Sequence, residues 1–303
     1  MSNESVLDNN DVVAVLASSR IEQDSRTHEF LKAQLTSSHL LRDAVIILDC
    51  WRDWWSYGVR NFRDIVNYVR SLGFGAGRIM LRMLYDPRCP IKTSGNQSIS
   101  ILTASQVRNA GFVLIVGGNG QALLQAAFSD AASSVVQAIA AAIADPSCRI
   151  IIPIWSAGTT CLGMHTCHSR DREAKLECSL SKFKDEQITS GLQFFSCSFA
   201  PHVQEHNLFR WIKYLTRHQE RLCTGPIIPI VDGCAIVLRR IDGASIVTDT
   251  YSVLLQQLRF LNEFRKASGF QTNCNLVSDH AVRIHCSTRS SRLSLGPALK
   301  LKQ

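Results

Sequence analysis

The stretch FVLIVGGNGQALL, residues 112–124, decides how the rest of the chain is read. Residues 112–116 are a continuous apolar run, rich in β-branched side chains and bounded by glycine. That is the pattern of a strand buried on both faces of a parallel sheet. Gly117 and Gly118 stop the run. The Ala-rich residues 121–144 predict a long helix, and 149–154 (RIIIPI) predict the next strand. Strand, glycine turn, helix and strand make a crossover unit, and such units are parallel and right-handed.

Working towards the N-terminus, residues 44–48 (AVIIL) predict the first core strand. Residues 60–72 carry Phe62, Ile65, Val66, Val69 and Leu72 at helical spacing and end at Gly73, a natural helix stop. After the glycine-punctuated GFGAG comes 78–84, then a Pro/Gly/Ser-rich loop over 86–97. Towards the C-terminus, 156–186 reads as a polar, cysteine-rich loop with a short helix, and 194–199 as a strand. Residues 204–222 read as an amphipathic helix, 226–231 with 235–238 as the last strand region, and 251–264 as the closing helix. The predicted class is α/β: a flavodoxin-like three-layer α/β/α sandwich with a central, mostly parallel sheet. It spans 43–264, preceded by an N-terminal helical extension over 1–42 and followed by a basic, Ser/Arg-containing mobile tail over 265–303.

Composition narrows the function classes. The 303 residues are 46% hydrophobic and 19% charged, enough apolar matter for one substantial core. No apolar run reaches membrane-spanning length, and the opening MSNESVLDNN lacks a secretory pattern, so a cytoplasmic or nuclear protein without a membrane partner is expected. Eleven scattered cysteines then imply reduced thiols. The formal charge is +8, and residues 264–303 hold seven basic residues against one acid, Asp279. The body is therefore near neutral, which argues against a basic groove across the fold and leaves the tail as the candidate nucleic-acid contact.

Reactive groups in open parallel sheets lie on loops at the carboxyl ends of strands. There the segments VIILDCWRDWW, GFGAGRIMLRML, LIVGGNGQALL and LRRIDGASIVTDTYSVLL stand in an order that resembles the SGNH (GDSL-type) hydrolases, and HNLFRWIKYL is similar to a helix in the SGNH domains of vertebrate retroelement-like genes. The resemblance implies a nucleophile at Cys50, oxyanion donors at Gly77 (or Gly75) and Asn119, and an orienting carboxylate at Asp242. It puts Ser245 where the family keeps its histidine. A hydroxyl cannot take a proton near neutral pH. Leu48 also replaces the glycine before the nucleophile, and Gly120 replaces an aspartate.

These departures imply a pseudoenzyme that serves as a binding or scaffold module for a small acyl or peptide ligand. Two alternatives remain open: a weak or thiol-dependent acyl-ester hydrolase using Cys50, and a nucleic-acid-associated accessory protein acting through its tail. Cys161, His165, Cys167, His168 and Cys178 are the densest metal-capable group, but their spacing fits no standard zinc site. Trp51, Trp54, Trp55 and Tyr57 are expected to pack the mouth of the pocket. No cofactor is implied.

Overall fold

The computed structural model describes residues 12–18, 25–50, 59–84, 99–144, 149–163, 165–167, 188–194, 198–203, 227–231, 235–241, 245–251, 273–276 and 282–285. Six strands form the parallel heart of the sheet: β1 (Val12–Ala17), β2 (Asp43–Ile47), β3 (Ile79–Met83), β4 (Ser100–Ile101), β5 (Ala110–Ile115) and β6 (Ile152–Trp155). They lie in the order β1-β6-β5-β2-β3-β4. Every residue of β5 and β6 is buried, as is β2 after Asp43. Uninterrupted apolar runs are what a strand covered on both faces requires. The three strands expected to be parallel neighbours, around residues 44–48, 112–116 and 149–154, are adjacent as β2, β5 and β6. The mostly parallel α/β class is thus the observed one.

Helices connect these strands: α1 (Ser25–Gln34), α2 (Ser37–Leu40), α3 (Val59–Ser71), α4 (Ala104–Asn109), α5 (Gly120–Ala127), α6 (Ser133–Ala144) and α7 (Ala157–Cys161). The single helix expected over 121–144 is two, α5 and α6, bent by 80°. Ser129 sits between them in extended backbone, its hydroxyl donating to Ala126 O at 2.6 Å. Serine's short hydroxyl competes for backbone groups, so it favours such a break over a helix interior.

Beyond β1 the sheet continues with β11 (Ala235–Ile241) and β12 (Ser245–Tyr251), then β14 (Val282–His285) and β13 (Asn273–Leu276), each antiparallel to its neighbour. Apart from this sheet, β7 (His165–Cys167) pairs antiparallel with β8 (Ile188–Ser190), and β9 (Ser198–Val203) pairs in parallel with β10 (Ile227–Val231). Two expectations need correction. The stretch 1–42 is not only a helical extension, because β1 inserts between β6 and β11 and its residues 14–16 are fully buried. Residues 265–303 are not only a tail, since they supply β13 and β14. Both strands are short and locally unremarkable, so only their long-range pairing identifies them. The helix expected over 204–222 lies outside the described residues, as does the one expected over 251–264 except for Tyr251, which ends β12.

The amino edge of the sheet is clamped by Arg42. Its guanidinium donates to Asn109 O at 3.1 Å, Arg149 O at 2.9 Å and Arg108 O at 2.6 Å, tying the entry to β2 to the entries to β5 and β6. A planar guanidinium spreads its donors over a rigid fork that spans these carbonyls, whereas an ammonium donates from a single nitrogen. Replacing Arg42 with Met should lower the unfolding free energy by about 2 kcal/mol in urea titrations. Arg42→Lys should recover less than half of that loss, whereas a fully restored midpoint would show that only the charge matters.

Candidate active site

The carboxyl edge of the same strands carries the site. β6 ends at Trp155, α7 begins at Ala157, and Ser156 alone makes the turn, with φ 46° and ψ −115°. Left-handed backbone at a residue with a side chain costs on the order of 1–3 kcal/mol and persists only where the surroundings enforce it. Here they do. The Ser156 N–H donates to Ala17 O at 2.9 Å, fixing the turn to the end of β1. The Ser156 carbonyl accepts from Thr159 N at 2.9 Å and Thr160 N at 3.3 Å. The buried Thr159 hydroxyl lies 3.1 Å from Ile154 O and 3.2 Å from Ala17 O, pinning the first turn of α7 to β6 and β1.

Two glycines make the close packing possible. A Cβ on Gly117 would stand 2.7 Å from Ser156 Cβ and 2.9 Å from Trp155 O, so the loop leaving β5 rests directly on the serine. A Cβ on Gly158 would press on Ile115 Cγ2 at 3.1 Å, Ile154 Cγ2 at 3.2 Å and Val116 O at 3.2 Å, so α7 can settle onto β5 and β6 only without a side chain there. A serine on a strained strand-to-helix turn, followed two residues later by glycine, is the nucleophile-elbow arrangement.

The residues picked out from the sequence lie elsewhere or serve other ends. Cys50 follows β2 and is 1% exposed. Burial pushes its thiol well above the ordinary range, with Cys161 and Asp49 nearby raising it further, so Cys50 is neither accessible nor ionised as a nucleophile must be. Its carbonyl accepts the Asn119 N–H at 2.7 Å. The Asn119 side-chain oxygen caps α5, accepting from Gln121 N at 3.0 Å and Ala122 N at 3.3 Å. Gly77 sits in an exposed turn before β3, at the amino edge. Ser245 pairs with Ile241 where β11 ends, past the Arg239–Val12 pair that marks the start of β1, and so also lies at the amino edge. Cys50 and Asn119 thus meet at the carboxyl edge, and Ser245 lies at the other. Asp242 lies outside the described residues.

Cys161 is buried at the end of α7, its thiol pushed up to about 12 by burial and donating to Gly120 O at 3.4 Å. His165 and Cys167 are on β7, His168 and Cys178 lie outside the described residues, and no cluster able to hold a metal occurs among the described ones.

The fold and the elbow define an α/β protein built around a serine at the carboxyl edge of a parallel sheet. Residues 91–246, just over half of the chain, match the family described as Peptidase family S51. The chain belongs to peptidase family S51. Its fold is similar to the crystal structure of a peptidase from an acI-B1 Actinobacterium, at 15% identity and a TM-score of 0.51, over 82% of this chain and 93% of that one. No curated protein matches its sequence. The family match overturns the SGNH and retroelement-like resemblance, and with it the pseudoenzyme, thiol-hydrolase and tail-centred readings. Ser156 was missed because Ile154 stands where the elbow pattern has its first glycine; Trp-Ser-Ala-Gly straight after the strand RIIIPI was the available signal.

The two thiols carry a pH signature. A cysteine in the unfolded chain ionises above about pH 8.5, whereas Cys50 and Cys161 stay protonated in the folded state. Their contribution to stability is therefore complete below about pH 8.5 and is lost as pH rises towards the folded pKa. Urea midpoints should fall between about pH 8.5 and 11, less steeply in the Cys50→Ala/Cys161→Ala variant. Equal slopes would assign the decline to other groups.

Proposed function

We propose that the protein is a serine peptidase whose nucleophile is Ser156, a reading carried by the strained elbow on which Gly117 rests. The Ser156 hydroxyl attacks the carbonyl carbon of a peptide bond and passes its proton to a histidine, and the carbonyl oxygen becomes an oxyanion. As first residue of α7, Ala157 has an N–H with no acceptor inside its own helix. That N–H, with the N–H of Gly118 on the glycine loop, is our choice of oxyanion donors. Collapse expels the amine, which takes the proton from the histidine and leaves an acyl group on Ser156. Water then adds by the same route, releasing the acid and restoring the serine.

The base is assigned by placement. Among the described histidines, His28 is on α1, His39 on α2 near the entry to β5 and His285 on β14, whereas His165 and His202 stand on β7 and β9, strands packed against α7. β7 follows the carboxyl end of α7, the end away from Ser156, so we assign the base to His202. The free buried thiols of Cys50 and Cys161 support a reducing, cytoplasmic or nuclear setting. No single helix among the described residues is long and apolar enough to cross a membrane.

The test is a screen of short peptides together with a fluorophosphonate label. Wild-type protein should turn over at least one peptide class and acquire one label. Ser156→Ala should lose the label and a thousandfold or more of the rate, on the order found when a triad member is removed. His202→Ala should match that loss and His165→Ala should not. Full activity in Ser156→Ala would sink the assignment.

A further inference from the structure

The edge of the sheet opposite Ser156 is crowded with cations. Arg42 spends its guanidinium on three neutral carbonyls, none of which offsets its charge. Arg78 donates to the carbonyl of Leu41, and Arg108 and Arg149, whose carbonyls Arg42 holds, are exposed at the entries to β5 and β6. None of the four is in an ion pair with a carboxylate among the described residues. The Asp43 carboxylate favours the charged form of Arg82. The buried His39 registers the same field, since burial and then the charges of Arg42 and Arg149 hold its pKa below the ordinary value.

Four arginines so gathered repel one another, a cost that folding alone does not demand of Arg108 or Arg149. Among them stands Leu41, 68% exposed, the most exposed large apolar side chain among the described residues. Arginine around an exposed aliphatic group suits a protein interface, where guanidinia take carboxylates and an apolar residue anchors the centre. A phosphate backbone would leave Leu41 without use. We propose that this amino edge docks an acidic protein segment, its carboxylates on Arg108, Arg149 and Arg78 and one apolar side chain against Leu41. The surface lies at the opposite end of the strands from the elbow, so the proposal does not depend on the peptidase assignment.

Fluorescence anisotropy of a labelled oligoglutamate peptide with one central leucine tests it, using the full chain carrying Ser156→Ala so that the probe is not consumed. Binding should weaken as salt rises. Arg108→Glu/Arg149→Glu should weaken it roughly tenfold or more, with Arg108→Ala and Arg149→Ala each giving part of that loss should the double variant fail to fold. Leu41→Asn should weaken this probe but not an all-glutamate one, and the tail variant Lys300→Glu/Lys302→Glu should change neither. The proposal is overturned if the peptide does not bind, if the tail variant and not the edge variants abolishes binding, or if single-stranded DNA binds as tightly through the same arginines.

Discussion

The contact between Gly117 and Ser156 is the constraint on which the rest of the site depends. β5 and β6 are neighbours, so the loop leaving one must pass the turn leaving the other, and with Cβ atoms at both positions the two would collide. Removing one side chain lets the glycine loop lie on the serine, which brings its backbone N–H groups to the edge where an oxyanion would form. The same closeness holds Ser156 in its unfavourable φ, because relaxing the turn would break the bonds to Ala17 and lift α7 from β5 and β6. Strain of this kind persists only when well-packed surroundings outweigh it.

The two ends of the strands solve different problems. At the amino edge, one guanidinium gathers three carbonyls and aligns the entries to β2, β5 and β6. At the carboxyl edge, alignment comes from the Thr159 hydroxyl, the Asn119 cap, the Cys161 thiol on Gly120 O and the buried Asp49 carboxylate, which accepts the Leu84 N–H at 2.8 Å. The groups at this edge are closely packed and largely apolar. Buried thiols fit that environment because a protonated cysteine behaves as a small apolar side chain.

The SGNH resemblance misled for a physical reason. It rested on short blocks in which a strand meets a glycine or polar turn, a pattern any parallel α/β sheet repeats at the end of each strand. Cys50 and Asn119 do meet at the carboxyl edge, but as backbone partners, with Cys50 buried and Asn119 capping a helix. Ser245 looked like the counterpart of a catalytic base only because it follows Asp-Gly in the chain. An antiparallel hairpin reverses direction, so β11 and β12 carry that segment to the wrong end of the sheet.

The apolar runs of β2, β5 and β6 were legible in the sequence, and with them the parallel α/β class, because burial on both faces leaves a composition that no other environment demands. The stop at Gly117 and Gly118 was legible too. What the linear chain could not decide was which strand ends become neighbours. β1 reads as an ordinary short apolar stretch, yet it supplies the carbonyl that fixes Ser156. Ser156 reads as one more polar residue in a cysteine-rich segment until its φ, its place between β6 and α7 and the glycine of another loop are seen together. Local pattern encodes how deeply a residue is buried; the geometry of a nucleophile arises from contacts between segments far apart in sequence, and only the tertiary structure brings those together.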